Sequence, residues 1–243
     1  MIFKCKTFKT NLSKLVKDHL LKIIIYSTKI IIFSLAILLY YLEENQYTKA
    51  LPALTLIYFS PDSFLSAALF LAATGDYLLE IDETLISGIL AFTASHLFSI
   101  KLTRIYPLYE HLKGLKRWFI IPVIILSSIS IFITTQVDSE KVIPILIYTH
   151  TLASLLLVSI GIAIIYHRKK DSWKELHPKL KYPTLLPIGV FVFVISDIFV
   201  LGDLLDLDLP DIGLPLYWES LFIITSSYGF IYTKKQPQDT LPT

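Results

Sequence analysis

From residue 23 onward the chain is a succession of apolar runs, at about 23–42, 49–60, 61–80, 84–102, 118–135, 142–166, 184–204 and 213–233. Most hold the ~20 residues that cross the hydrocarbon of a bilayer at about 1.5 Å per residue. Hydrocarbon offers no water to backbone N–H and C=O groups, so such segments satisfy them internally, as a helix does. The runs therefore predict an all-α fold, a polytopic membrane bundle of about eight transmembrane helices. Composition agrees: hydrophobic residues make up 54% of the 243, charged residues 17%, and mean hydropathy is +0.62. An ordinary soluble domain is less apolar. The single Cys5 excludes an intramolecular disulfide and any cysteine-based metal cluster.

Residues 1–22 carry Lys4, Lys6, Lys9, Lys14, Lys17 and Lys22, with Leu12, Leu15, Val16 and Leu20 at helical spacing. This predicts an amphipathic helix lying on a membrane surface and attracted to anionic headgroups. A nucleic-acid arm is the poorer reading beside so much membrane. The run at 23–42 is too long for a signal-peptide core and lacks a small-x-small cleavage site, so it is expected to be a retained span. The second run is short, with Ser60 a candidate N-cap and Pro61 a candidate start for the third. With the N-terminus inside, an eight-span arrangement puts nineteen of the 22 Lys and Arg in inside segments, leaving Lys29, Lys49 and Lys141. Merging runs two and three into one crossing would scatter the basic loops over both faces. The expected organisation is a basic segment 1–22, one membrane-embedded domain 23–233 and a tail 234–243, in the cell (inner) membrane with both termini cytoplasmic. The loop 167–183 reads as a membrane-surface loop, and no internal repeat or long linker is present.

Inside these apolar runs stand Asp76, His96 and Asp197. An ionisable group in hydrocarbon is expensive, which makes it a candidate for function in need of a partner. Runs three and seven both run outward, so Asp76 lies about 6 Å and Asp197 about 10 Å below the outer surface, at similar depth. Lys49, Tyr148, His150, Tyr217 and Glu219 belong to the same outer half, and His96 is about 18 Å down. Ala72, Gly75, Gly88, Ala91 and Ser95 are small enough to let the helices approach closely. Taken singly, each polar group also has a structural reading. An aspartate near a helix end snorkels or caps; His96 bonds between helices beside Ser95 and Ser99; Lys49 and Glu219 snorkel; Tyr217, Trp218, Tyr106 and Tyr109 form an aromatic belt. A metal site of His96, Asp76 and Asp197 is conceivable, but no spacing specifies one. No zincin motif, P-loop or nucleophile elbow is present.

Several ordered pieces resemble the YhhN family. They are Lys49-Ala50-Leu51-Pro52, Gly75-Asp76-Tyr77-Leu78-Leu79, the stretch Gly88 to Leu97 that contains Ser95-His96, Tyr148, and Phe193-Val194-Ile195-Ser196-Asp197. Their order and separations match along nearly the whole chain after residue 23. The chain departs from the family at run eight, where Tyr217-Trp218-Glu219-Ser220 stands in place of a Tyr-rich start followed by Gln. The basic extension is also longer than the family's usual start.

The resemblance implies a lysoplasmalogenase, an integral membrane hydrolase that cleaves the vinyl ether bond of lysoplasmalogens to a fatty aldehyde and glycerophosphoethanolamine or glycerophosphocholine. Such hydrolysis needs one group that is an acid at neutral pH and another that stays anionic beside an oxocarbenium ion. Asp76 and Asp197 are the candidate catalytic pair, with the choice of acid left open. Lys49, His96, Tyr148, Tyr217 and Glu219 are the candidate substrate-binding residues: Lys49 for the phosphate, His96 to orient a carboxyl or water. The expected partner is a lysophospholipid within the bilayer, with no cofactor, no metal and no nucleic acid. The competing classes are a lipid or proton-coupled transporter and an inactive structural member of the fold. Against the transporter, no inverted repeat and no pair of broken helices appears. With Cys5 replaced by Ser, a cysteine at Lys174 should resist an impermeant maleimide in intact cells and one at Asp208 should react. The reverse labelling would invert every depth given above.

Overall fold

In the structure, a computed structural model, residues 2–60, 62–103, 124, 127–128, 131–132, 134–204, 210 and 212–229 are described, and among them every regular element is helical. Helix α1, Ile2–Leu42, contains neither Gly nor Pro, and it runs through residue 22 without a break. The basic segment and the first apolar run are thus one continuous helix, because nothing in the sequence stops the helix there. Helix α2, Gln46–Phe59, begins in a capping box. The Asn45 carboxamide oxygen accepts from the Tyr47 and Thr48 amides at 3.0 Å each, and the Thr48 hydroxyl accepts from the Asn45 amide at 3.2 Å.

Helix α3, Ser63–Leu79, is capped by Asp62 rather than by the expected Ser60, which instead ends α2. The Asp62 carboxylate accepts from the Phe64 amide at 2.8 Å, and its negative charge suits a helix N-terminus better than a hydroxyl does. After a 3-10 turn at Asp82–Thr84 come α4, Leu85–Leu102, and α5, Ser139–Arg168. A second 3-10 turn leads into the short α6, Trp173–Leu176, then α7, Leu185–Leu204, and α8, Gly213–Ser227. Helix α8 stops at Gly229, whose φ of 88° favours glycine. Most of the run at 118–135, the residues Arg104, Tyr106, Tyr109, Lys113, Lys116, Arg117, Asp206, Asp208 and Asp211, and the tail lie outside the described residues.

The helices close into a ring. α2 packs on α3, α3 on α4, α4 on α5, α5 on α7, α7 on α8, and α8 returns to α2, while α1 lies against α2. α1 also meets α8 through Phe33 stacked on Phe222 at 5.3 Å and Tyr40 edge-on to Trp218 at 5.1 Å. Outward-facing positions are large and apolar, among them Ile23, Phe70, Leu97, Ile143, Phe191 and Ile198, all more than half exposed. So large an exposed apolar surface is compatible with a membrane and unsuited to water. By length and hydropathy, Leu20–Leu42 and Ser139–Arg168 are long enough to cross one alone, and Ser63–Leu79, Leu85–Lys101 and Leu185–Val200 are shorter apolar helices.

The segment 167–183 is more than a surface loop, because it plugs the end of the ring where α3 begins. Trp173, His177 and Leu180 are buried there, with the Trp173 and His177 rings stacked at 5.6 Å. His177 Nε2 donates to the Thr103 carbonyl at 2.8 Å while its Nδ1 accepts from the Leu180 amide at 3.2 Å. The Lys181 and Tyr182 amides both donate to the Ser227 carbonyl. Lys179 reaches the Asp62 carboxylate. Burial pushes the Asp62 carboxyl up, but the Lys179 ammonium and the Phe64 and Leu65 amides outweigh it and hold the group below its ordinary range. A depressed carboxyl contributes stability that is present above its unfolded value and lost as pH falls through its folded one. Asp62→Ala should therefore lower stability by about 1 kcal/mol at neutral pH. Thermal melting should show the gap to wild type narrowing below about pH 4; a gap independent of pH would remove the charge from the account.

Candidate active site

The polar groups of the apolar runs meet inside the ring. Asp76 lies on α3 one turn before its end, is 2% exposed, and accepts at Oδ2 a 2.9 Å hydrogen bond from the Tyr217 hydroxyl of α8. Asp197 on α7 accepts a 2.5 Å hydrogen bond from the Tyr148 hydroxyl of α5, and this second pair is only half-buried. Each carboxyl thus has a phenol donor from a different helix. A buried polar group without such a partner would destabilise the fold.

His96 of α4 joins the two pairs. Its ring lies 5.2 Å from that of Tyr148 and 5.1 Å, edge-on, from that of Phe193. Phe193 in turn meets Tyr217 at 5.4 Å. The imidazole is 2% exposed, and its Nε2 has no hydrogen-bond partner among the described residues. Five of the six ring helices contribute to this cluster, and α2 adds Lys49 at the rim. The Lys49 ammonium pairs with the Glu80 carboxylate at the end of α3. Both charges lie within electrostatic reach of Asp76.

Other expected members lie elsewhere. Glu219 is on the opposite side of α8 from Tyr217, exposed in an apolar groove of about 240 Å³ that Ile30, Phe33, Ile37 and Tyr41 of α1 also line. The reason is helical geometry: two residues turn the side chain by about 200°. His150 is exposed, and its Nδ1 donates to the Leu146 carbonyl. Tyr217 and Trp218 form no interfacial belt, being 5% and 0% exposed. Among the described residues no three His, Cys, Asp or Glu side chains converge to hold a metal ion. Phe193, quoted above only within the piece that ends at Asp197, and Glu80 were not among the expected site residues. Phe193 precedes Asp197 by one helical turn and Glu80 follows Asp76 by one, a spacing that places each on the same face as its aspartate.

Residues 28–228 match the model of the YhhN family. The chain belongs to the YhhN family. No match was found among curated proteins, nor among solved structures. The YhhN match takes in every helix of the ring and the plug, and excludes the basic start of α1.

In this YhhN member the site is set by a close approach of α3 to α4. A Cβ on Gly75 would stand 2.5 Å from the Phe92 ring, which packs edge-on to Tyr217 at 5.7 Å. Ser95 ties the same two helices by donating to the Ala68 carbonyl at 2.7 Å. Gly75→Ala should therefore displace Phe92 and with it the Tyr217 hydroxyl, lowering stability by about 1–3 kcal/mol as overpacking does. An unchanged melting temperature in that variant would mean that Phe92 has room to move.

Proposed function

We propose that this protein is a multi-pass membrane hydrolase that cleaves the vinyl ether bond of lysoplasmalogens, with both termini in the cytoplasm. The observation that carries the reading is the pair of carboxyls, Asp76 in the core and Asp197 half-buried, each on its own phenol, with the His96 ring packed on Tyr148 and Phe193. Membership in the YhhN family and the sequence resemblance described above support it.

Hydrolysis of an enol ether begins with a proton delivered to the β-carbon of the C=C–O unit. The π electrons form the new C–H bond, and the α-carbon becomes an oxocarbenium ion. Water adds to that carbon and loses a proton; the hemiacetal hydroxyl then gives up its proton as its oxygen forms the C=O bond, the bond to the glycerol oxygen breaks, and that oxygen takes up a proton. The products are a fatty aldehyde and the glycerophospho-alcohol. One carboxyl serves as the acid, and the other, as an anion, stabilises the cation and accepts the proton of the attacking water. Two carboxyls in unequal surroundings suit this division. Here Asp76 is sealed in the core while Asp197 is half-buried. The Nε2 of His96, buried without a hydrogen-bond partner among the described residues, is suited to hold the water. The alkenyl chain would lie among the apolar helices with its headgroup toward the end of the ring where α2 begins.

Purified protein should release aldehyde from a lysoplasmalogen and none from the saturated ether analogue. Asp76→Asn and Asp197→Asn should each lower turnover by about 10²-fold or more. Because the two groups act on one transition state, the double variant should be little worse than either single one. Near-normal turnover in a well-folded Asn variant would return that aspartate to a structural role.

A further inference from the structure

On the outside of the ring, the groove between α1 and α8 has one charged residue in an otherwise apolar lining, Glu219. Ile30, Phe33, Ile37 and Tyr41 recur at helical spacing along the α1 wall, and Glu219 and Phe222 stand on the α8 wall. The two helices are antiparallel, since Tyr40 meets Trp218 at 5.1 Å and Phe33 meets Phe222 at 5.3 Å. Glu219 therefore lies at the level of Ile37 to Tyr41. Behind it the groove continues past Phe33 to Ile30, about 10 Å from Ile37 at the rise of a helix. The Glu219 side chain is exposed and has no hydrogen bond or ion pair among the described residues. Lys29, the lysine next to Ile30 in the chain, is buried with its Nζ over the Phe59 ring of α2 at 5.4 Å.

We propose that this groove binds a cationic amphiphile with a single alkyl chain, a long-chain amine, whose ammonium pairs with Glu219 and whose tail lies along Ile37, Phe33 and Ile30. The proposal rests on α1 and α8 being membrane helices and is independent of the hydrolase reading. In hydrocarbon a carboxylate is destabilising unless paired, and ionisable residues of a bundle ordinarily turn inward to find that partner. Glu219 turns outward, so its counter-charge has to come from outside the described chain. The lining decides what the head of the occupant carries. Among the described residues no basic side chain lines the groove, so a phosphate would enter it unpaired beside a carboxylate, and like charges at short range repel. Anionic and zwitterionic phospholipids are disfavoured for that reason, the lysophospholipid assigned to the interior of the ring among them. A lone ammonium neutralises Glu219 and brings no anion with it. The size of the groove, about 240 Å³, suits one alkyl chain. A protein helix, about 10 Å across with its side chains, is too thick to lie within it. In a bilayer the tail gains only packing there, so the carboxylate–ammonium pair sets the selectivity.

Native mass spectrometry of the full-length protein in a non-ionic detergent reads this binding directly, with dodecylamine as the probe and dodecanol, which has the same tail and no charge, as its comparison. Wild type should bind the amine about tenfold more tightly than the alcohol, the scale of one charge-assisted contact. Glu219→Gln should abolish that difference, and Glu219→Asp, which keeps the charge, should preserve it. Ile37→Trp, which fills the trough and leaves the carboxylate in place, should weaken both probes. Equal binding of amine and alcohol by wild type, or an amine preference that survives Glu219→Gln, would overturn the proposal. A change of oligomeric state in Glu219→Gln with amine binding unaltered would also overturn it and give the groove to a helix of a second copy. Amine binding through Glu219 in a protein that stays dispersed without detergent would keep the groove site and overturn the membrane placement. A protein that needs detergent and shows no amine preference would keep the membrane placement and overturn the groove site.

Discussion

A carboxyl enclosed by apolar helices must be given a hydrogen-bond donor, and here both donors are brought from far along the chain. Tyr217 is 141 residues from Asp76 and Tyr148 is 49 residues from Asp197. These two bonds do for the interior of the ring what capping residues do at helix ends: they satisfy groups that the local backbone does not reach. They also fix the rotation of four helices. α3 and α8 must turn Asp76 and Tyr217 toward each other, and α5 and α7 must do the same for Tyr148 and Asp197. With those rotations set, Phe193 and His96 fall between the pairs.

Close packing supplies the rest of that geometry. The α3–α4 contact is made by small residues: Gly75 lies under the Phe92 ring, Gly88 under Leu79, and Ser95 against the Ala68 carbonyl. Small residues let two helix axes approach until dispersion contacts and interhelical hydrogen bonds hold them, which matters most where hydrocarbon provides no hydrophobic drive for association. The same closeness puts Phe92 against Tyr217, so the packing of one helix pair steadies the hydroxyl that a third helix presents to Asp76.

The two ends of the ring differ in kind. At one end Trp173, His177 and Leu180 are buried, and backbone and side-chain hydrogen bonds tie the 167–183 segment to α4 and α8. At the other, the partly exposed Lys49–Glu80 pair stands over Asp76. Among the described residues, one end of the ring is closed by apolar packing and the other carries an ion pair.

Local rules were enough for much of this. Apolar runs of helical length dictated an all-α bundle, because a backbone in an apolar medium must bond to itself. Asp76, His96 and Asp197 could be picked out because an ionisable group in such a run has to be explained. Their partners could not be. Tyr217 sits two residues from Glu219, and only the rotation of α8 decides that the phenol faces Asp76 while Glu219 faces α1. Lys49 reads as a free cation in the sequence, and only the approach of α2 to α3 gives it Glu80. The loop at 167–183 looks basic and exposed by composition, yet three of its side chains fill the end of the ring. Composition and periodicity report which residues avoid water; which of them meet is set by helix rotation and contact, and these depend on the whole chain at once.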